Sequence, residues 1–152
     1  MPVTPDTIER SIDITATQER VFELVAKPGW WINEGRIVDN PVSVDGDIST
    51  VTHAKYGTFR IRTVELKPHE YAAFRWLGGD PELESEAATP GNLVEFWVTP
   101  TAGGGVTLRV RESGFQSLSP DEEVRRRNFE ANTEGWIQEL EAARVHVESV
   151  AT

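Results

Sequence analysis

The stretch Ser119–Glu148, SPDEEVRRRNFEANTEGWIQELEAARVHVE, decides the fold. Ser119 suits a helix cap, Pro120 suits the first helical position, and Glu122 follows the cap by three residues, so the segment opens as a capping box. At about 100° per residue, Phe129, Thr133, Trp136, Leu140, Ala143 and Val147 fall within about 40° of one line. The segment therefore predicts a long helix with one narrow, largely apolar face to bury and the rest in water. Two residues sit oddly on it. Arg125 falls on the inner line, where it either overhangs the partner layer or guards a cavity mouth. Gly135 costs a helix about 1 kcal/mol relative to Ala, so its place beside Trp136 calls for a packing or ligand reason.

The partner layer precedes the helix. Val106–Glu112 alternates, with Val106, Leu108, Val110 and Glu112 on one face. Gly103-Gly104-Gly105 turns it back onto Asn92–Thr99, and a loop rich in Gly, Pro and Glu, Gly78–Gly91, leads back to Tyr71–Leu77. Pro68-His69-Glu70 connects to Thr58–Lys67, where the alternation changes phase between Ile61 and Val64 and predicts a bulge near Thr63. Tyr56-Gly57 turns to Ile48–Lys55, and Asp45-Gly46 is a hairpin turn from Arg36–Val44. The chain begins with a half-buried strand, Thr7–Thr15, in which Ile8, Ile12 and Ile14 share a face with Arg10. The helix Gln18–Ala26 follows, capped by Thr15 or Thr17. Lys27-Pro28-Gly29 stops it, and Trp30-Trp31-Ile32 is a short second helix or turn. Six consecutive hairpin-linked strands make an antiparallel sheet, on which the final helix buries its stripe. The class is α+β, one domain over residues 1–152.

Composition narrows the partners. At 152 residues the chain suits a single domain, which hides about 68–70% of its unfolded surface. Fifteen Lys and Arg against 25 Asp and Glu give a net charge of −10, which opposes nucleic acid. No apolar run approaches the roughly 20 residues of a membrane span, and Met1–Arg10 is too polar for a signal peptide, so a cytoplasmic protein is expected. The absence of Cys excludes disulfides, thiolate zinc sites and Cys nucleophiles. His53, His69 and His146 lack a metal-ligand spacing, so neither metal nor cofactor is expected. The Gly103–Gly105 run lacks the strand-to-helix setting and Lys of a phosphate loop, and no G-x-S-x-G elbow or Ser-His-Asp set is present.

Four segments carry a resemblance, in order: IDITATQERVFELVAKPGWW, LKPHEYAAFRW, VTLRVRESGF and NTEGWIQEL. Together they resemble the Bet v 1/START-like (SRPBCC) superfamily, in its bacterial branch related to the C-terminal domain of the Hsp90 ATPase activator. The similarity runs from about Ile8 to Val147. It implies a helix-grip fold: a curved seven-stranded antiparallel sheet around the long C-terminal helix, with two short helices after the first strand. It also implies an apolar cavity between helix and sheet that takes lipids, sterols, polyketides or other hydrophobic molecules, and in a few members catalyses cyclisation or dehydration. The family has no universal catalytic motif to carry over, and the fold does not by itself settle function.

The expected ligand-binding set is Trp30, Trp31, His53, Phe59, Ile61, Phe74, Trp76, Phe96, Val110, Glu112, Phe129, Trp136 and Leu140. Phe115 belongs with the same aromatics. Large inward apolar side chains form a packed core or the wall of a cavity, and the resemblance favours a cavity touching Trp76, Phe96 and Trp136. Glu112 either orients a ligand hydroxyl, acts as a general base, or pairs at a strand end with an Arg such as Arg10, Arg62 or Arg75. Histidine is the residue type suited to proton transfer near neutral pH, which makes His53 a candidate, yet a lone His is more often a satisfied one. The function expected is binding of a small hydrophobic, aromatic or lipid-like molecule, with no nucleic acid and no membrane as partners. Its rivals are a polyketide cyclase/aromatase-like enzyme in the same cavity and a protein-interaction module working on an Hsp90-type chaperone. Trp97 alternates outward with Leu93 and Thr99, where an exposed apolar patch would mark a homodimer contact.

Overall fold

Seven strands form one antiparallel sheet in the order β1-β7-β6-β5-β4-β3-β2. They are β1 Thr7–Ile14, β2 Val42–Asp45, β3 Ile48–His53, β4 Gly57–Lys67, β5 Tyr71–Trp76, β6 Leu93–Pro100 and β7 Val106–Ser113. Helix α1, Gln18–Val25, follows β1, and the long helix α2, Glu122–Ser149, closes the chain against the sheet. This is the helix-grip arrangement: the first strand returns to pair with the last, and the helix fills the hollow of the curved, open sheet. The computed structural model describes residues 6–55, 57–77, 92–114 and 121–149, apart from the side chains of Val124, Arg125 and Asn128. The expected cap at Ser119-Pro120, Tyr56, the Gly78–Gly91 loop, Phe115 and the Arg125 side chain lie outside the described residues.

Local chemistry explains the boundaries. Thr17 caps α1, its Oγ1 accepting the Arg20 N–H at 3.2 Å. Asp121 accepts the Glu123 N–H at 2.8 Å beside the first residue of α2. The expected bulge falls between Thr63 and Glu65, and Val64 and Leu66 stay exposed beyond it. The strand expected over Arg36–Val44 shrinks to Val42–Asp45. Pro41 has no N–H to give a ladder, and Asn40 instead donates from its side chain to the Ile32 carbonyl at 2.8 Å, folding the segment back. Of the two expected short helices, the described residues contain one. The second is replaced by two turns, Trp30 N–H to the Lys27 carbonyl and Ile32 N–H to the Gly29 carbonyl.

Those turns aim two indoles at the centre of the molecule. Trp30 and Trp31 tilt onto Phe96 at ring-centroid separations of 5.3 and 5.5 Å. Trp31 also meets Phe74 at 5.6 Å and Trp136 of α2 at 5.9 Å. Phe74, Phe96, Ile61, Val94, Leu108 and Val110 are completely buried around them. From α2, Trp136, Leu140, Ala143 and Val147 are buried as the stripe predicts, and Phe129 packs at its margin. The interior of the grip is thus an aromatic core rather than a deep empty cavity.

The outer face of the sheet corrects a second expectation. Trp97 does point outward, opposite Tyr71 and Arg109, but it is not a bare apolar patch. The Arg109 and Arg111 guanidiniums lie 4.2 and 5.2 Å from its ring centroid. Arg111 is itself held by Glu95 at 2.9 Å, and Glu95 accepts the Tyr71 hydroxyl at 2.6 Å. Burial and the Glu95 carboxylate together raise the Tyr71 pKa, so the phenol stays a donor.

Gly29 makes the tryptophan turn. Its φ is +75°, and a Cβ there would lie 2.9 Å from Val51 Cγ2. Gly29→Ala should therefore combine left-handed strain with a core clash, costing about 1–3 kcal/mol. A drop in the urea midpoint together with altered tryptophan fluorescence is the expected result.

Candidate functional site

Glu112 lies one pleat beyond Val110, so the alternation of β7 carries its side chain inward, between Ile8 of β1 and Val94 of β6. It is only 2% exposed. Its carboxylate is met by neutral donors from two other parts of the chain. Trp136 Nε1 and Asn132 Nδ2, both on α2, donate to Oε1 at 2.8 and 3.0 Å. Asn92 Nδ2, just before β6, donates to Oε2 at 3.1 Å, with Asn132 at 3.2 Å. Burial raises the carboxyl pKa, and the bonds from Trp136, Asn92 and Asn132 pull partly against it. None of the expected arginine partners makes these bonds. Arg10 donates to the Glu9 carbonyl, Arg62 pairs with Asp47, and Arg75 sits opposite Arg62 in the register. Glu112 is an internal tie and not a strand-end charge.

A second acid joins it. Glu139 on α2 is 6% exposed. Its Oε1 has no hydrogen-bond partner, a state shared by the buried Nε1 atoms of Trp30 and Trp31. Burial pushes its carboxyl up to about 7, although a hydrogen bond from Asn33 acts the other way.

Both acids line one pocket of about 570 Å³ at the seam between α2 and the sheet. Trp31, Trp76 and Trp136 supply its aromatic walls; Asn33, Asn132 and Gln138 supply neutral polar groups; Ala131 and Gly135 leave room. A Cβ built on Gly135 would meet nothing within 4 Å. The glycine thus resolves into open space at the pocket wall rather than a tight helix crossing. The arrangement offers flat apolar walls, one fully engaged carboxylate and one with an unused oxygen.

The expected residues divide around this pocket. Trp31, Trp76, Glu112 and Trp136 line it. Phe96 does not, because the two indoles of the 30–31 turn cover it. Phe74, Ile61, Val110 and Leu140 belong to the same closed core. Phe59 supports the wall from the side, its ring 5.6 Å from Trp76. Trp30 lines a different cavity of about 510 Å³ with Leu24, Ile37 and His146. His53 is buried on β3, its Nδ1 accepting the Lys55 N–H at 3.0 Å, and lies off the pocket wall. Sequence reasoning missed Glu139, Asn33, Asn92 and Asn132. Glu139 had a signal: it stands three residues after Trp136 and four before Ala143, on the flank of the buried stripe.

Among the described residues no helix is long and apolar enough to cross a membrane, and no three His, Asp or Glu residues gather as metal ligands would.

The chain adopts a helix-grip fold, a seven-stranded antiparallel sheet closed on a long C-terminal helix, with the pocket at their seam. Neither a protein-family profile nor a curated protein sequence matches the chain. Solved structures do. Protein MLL2253 from Mesorhizobium loti is similar with a TM-score of 0.70 at 19% identity, over 96% of this chain and 99% of that one. The Aha1 dimer from Colwellia psychrerythraea gives 0.65 at 17% identity, over 93% and 96%. DynU16, from the dynemicin biosynthetic locus, gives 0.66 at 19% identity; 95% of this chain aligns with 48% of that one.

Two measurements probe the acids. Glu112→Gln presents an NH₂ to groups that are all donors, and should cost about 1–3 kcal/mol in urea unfolding while leaving the fold intact. For Glu139 the folded chain holds a proton that the unfolded chain, near 4.5, releases. Stability should therefore fall as pH rises from about 4.5 to about 7 and then level off. In Glu139→Gln that slope should shrink to what Glu112 contributes. The variant should gain on the order of 1–2 kcal/mol at about pH 8, with partial solvation discounted.

Proposed function

We propose that the protein binds a small, largely apolar molecule, flat enough to lie against indole faces, in the pocket at the α2–sheet seam. The observation that carries this reading is the open volume over Gly135, walled by Trp31, Trp76 and Trp136 with buried polar groups at its base. Ligand sites are usually concave, mainly apolar and supplied with a few fixed polar groups, and a volume of about 570 Å³ falls in their usual range. The pocket lies at the seam, beside the core aromatics that pack together within the grip. No cofactor is invoked.

A second reading has its own observation. Two buried acids on one pocket are the minimum for acid–base chemistry of a cyclase or aromatase kind, and DynU16 shares the fold. Binding is preferred because both oxygens of Glu112 are already engaged, leaving one acid with spare capacity. The chaperone-partner and homodimer readings draw on the shared fold of the Aha1 dimer, and the arginine-covered Trp97 face offers them little.

Native mass spectrometry of freshly purified protein should find a retained small molecule, absent from Gly135→Leu, whose side chain enters the pocket. A wild type that retains nothing and shows no thermal shift across a panel of hydrophobic compounds would sink the binding reading. In the enzymatic reading, Glu139→Gln should lower turnover by roughly 10²–10⁴-fold with affinity nearly unchanged.

A further inference from the structure

We propose that this pocket selects organic cations, specifically ammonium groups attached to an aryl or other flat apolar body, over neutral and anionic molecules of the same shape. The inference rests on the reading that the pocket is a ligand site, and adds the charge and class of the ligand.

Three independent features point to a cation. The first is the charge of the lining: both charged residues on the wall are acids, Glu112 and Glu139, and no Lys, Arg or His appears among the described lining residues. A carboxylate or phosphate ligand would be desolvated beside two like charges without a counter-ion, which is strongly unfavourable. The second is the open valence at Glu139. Its Oε1 is buried without a partner, and a neutral hydrocarbon would leave it so, at the cost of an unsatisfied buried acceptor. An ammonium N–H supplies both the missing donor and the opposite charge. The third is the wall itself. Trp31, Trp76 and Trp136 present indoles, the side chains whose faces attract cations most strongly. Trp31 and Trp76 stand nearly perpendicular at 5.8 Å, so the wall offers ring surface in more than one orientation.

The two acids then have different parts. Glu112 is saturated by Trp136, Asn92 and Asn132; it contributes negative potential and fixes the wall. Glu139 is the contact. The net charge of −10 draws cations towards the whole surface and repels anions from it. Trp31 Nε1, the other unpartnered polar atom on this wall, is a donor, and a hydroxyl or ether oxygen on the ligand's body would serve it.

The test is calorimetric titration of the full chain at about pH 8, using three probes of nearly equal shape: phenethylamine, 2-phenylethanol and phenylacetate. Phenethylamine should bind about tenfold more tightly than the alcohol or better, and phenylacetate should bind more weakly than both. Glu139→Gln should lose most of the amine's advantage over the alcohol, keeping only what the indole faces and Glu112 supply, and Gly135→Leu should remove binding of all three. Alcohol or acid binding as tightly as the amine would overturn the charge preference and leave the cavity reading standing. An amine preference undiminished in Glu139→Gln would overturn the assignment to that residue. If no probe binds the wild type, and native mass spectrometry finds no retained molecule, the cavity reading and this inference fall together.

Discussion

A buried carboxylate with only neutral donors around it holds the grip closed. Glu112 sits where β7 pairs with both β1 and β6, and its oxygens reach across to Trp136 and Asn132 on α2 and to Asn92 ahead of β6. Burying a charge without a counter-ion is costly, and several charge-assisted hydrogen bonds are what make it tolerable. The same bonds orient the Trp136 ring, whose centroid lies 5.7 Å from that of Phe96, edge to face, and 5.9 Å from that of Trp31. The rest of the site is built on this tie: the helix cannot slide along the sheet without breaking it.

Space follows from the same constraint. Trp30 and Trp31 enter the grip from the turn after α1 and pack against Phe96 at its centre. One open space lies at the seam, where α2 presents Ala131 and Gly135 rather than larger side chains. The molecule therefore pairs a packed aromatic core with a recess lined by both indoles and polar groups. Two of the four buried polar atoms without partners among the described residues, Trp31 Nε1 and Glu139 Oε1, belong to residues on that recess, while the acids and donors of the outer face around Trp97 satisfy one another.

How much of this was legible in the sequence depended on whether the signal was local. Strand alternation placed Glu112 inward because β7 is regular through Ser113, and the phase change in β4 announced its bulge. The helical stripe was read correctly from Trp136 to Val147. The Trp30–Ile32 segment read equally well as helix or turn, because the left-handed φ of Gly29 is invisible in composition. The division of aromatics between core and pocket was not legible either. Phe96 and Trp76 both alternate inward, and only the tertiary position of the two indoles shows that one is covered and the other open. Glu139 was missed because a Glu on the flank of an apolar stripe is ordinarily a solvated residue. Its burial depends on Asn33 and the turn that delivers it, a loop far away in sequence. The partners of Glu112 were missed for the same reason: Asn92 and Asn132 are unremarkable until the topology brings them together.

The contrast between the two acids bears on what the fold can be used for. A residue whose every lone pair is engaged is a poor proton carrier, since gaining a proton would break one of the bonds that hold it. Glu112 is in that position, and its raised pKa reflects burial opposed by those bonds. Glu139 has less support, with Asn33 as its acknowledged donor and a carboxyl poised near neutrality. Leaving such a group under-satisfied lowers stability, and nothing in the packing of α2 requires an acid there. Glutamine would keep the length of the side chain without burying a charge. A destabilising acid facing an open recess is the kind of local inconsistency that functional sites carry, and it is the feature on which the proposed ligand reading turns.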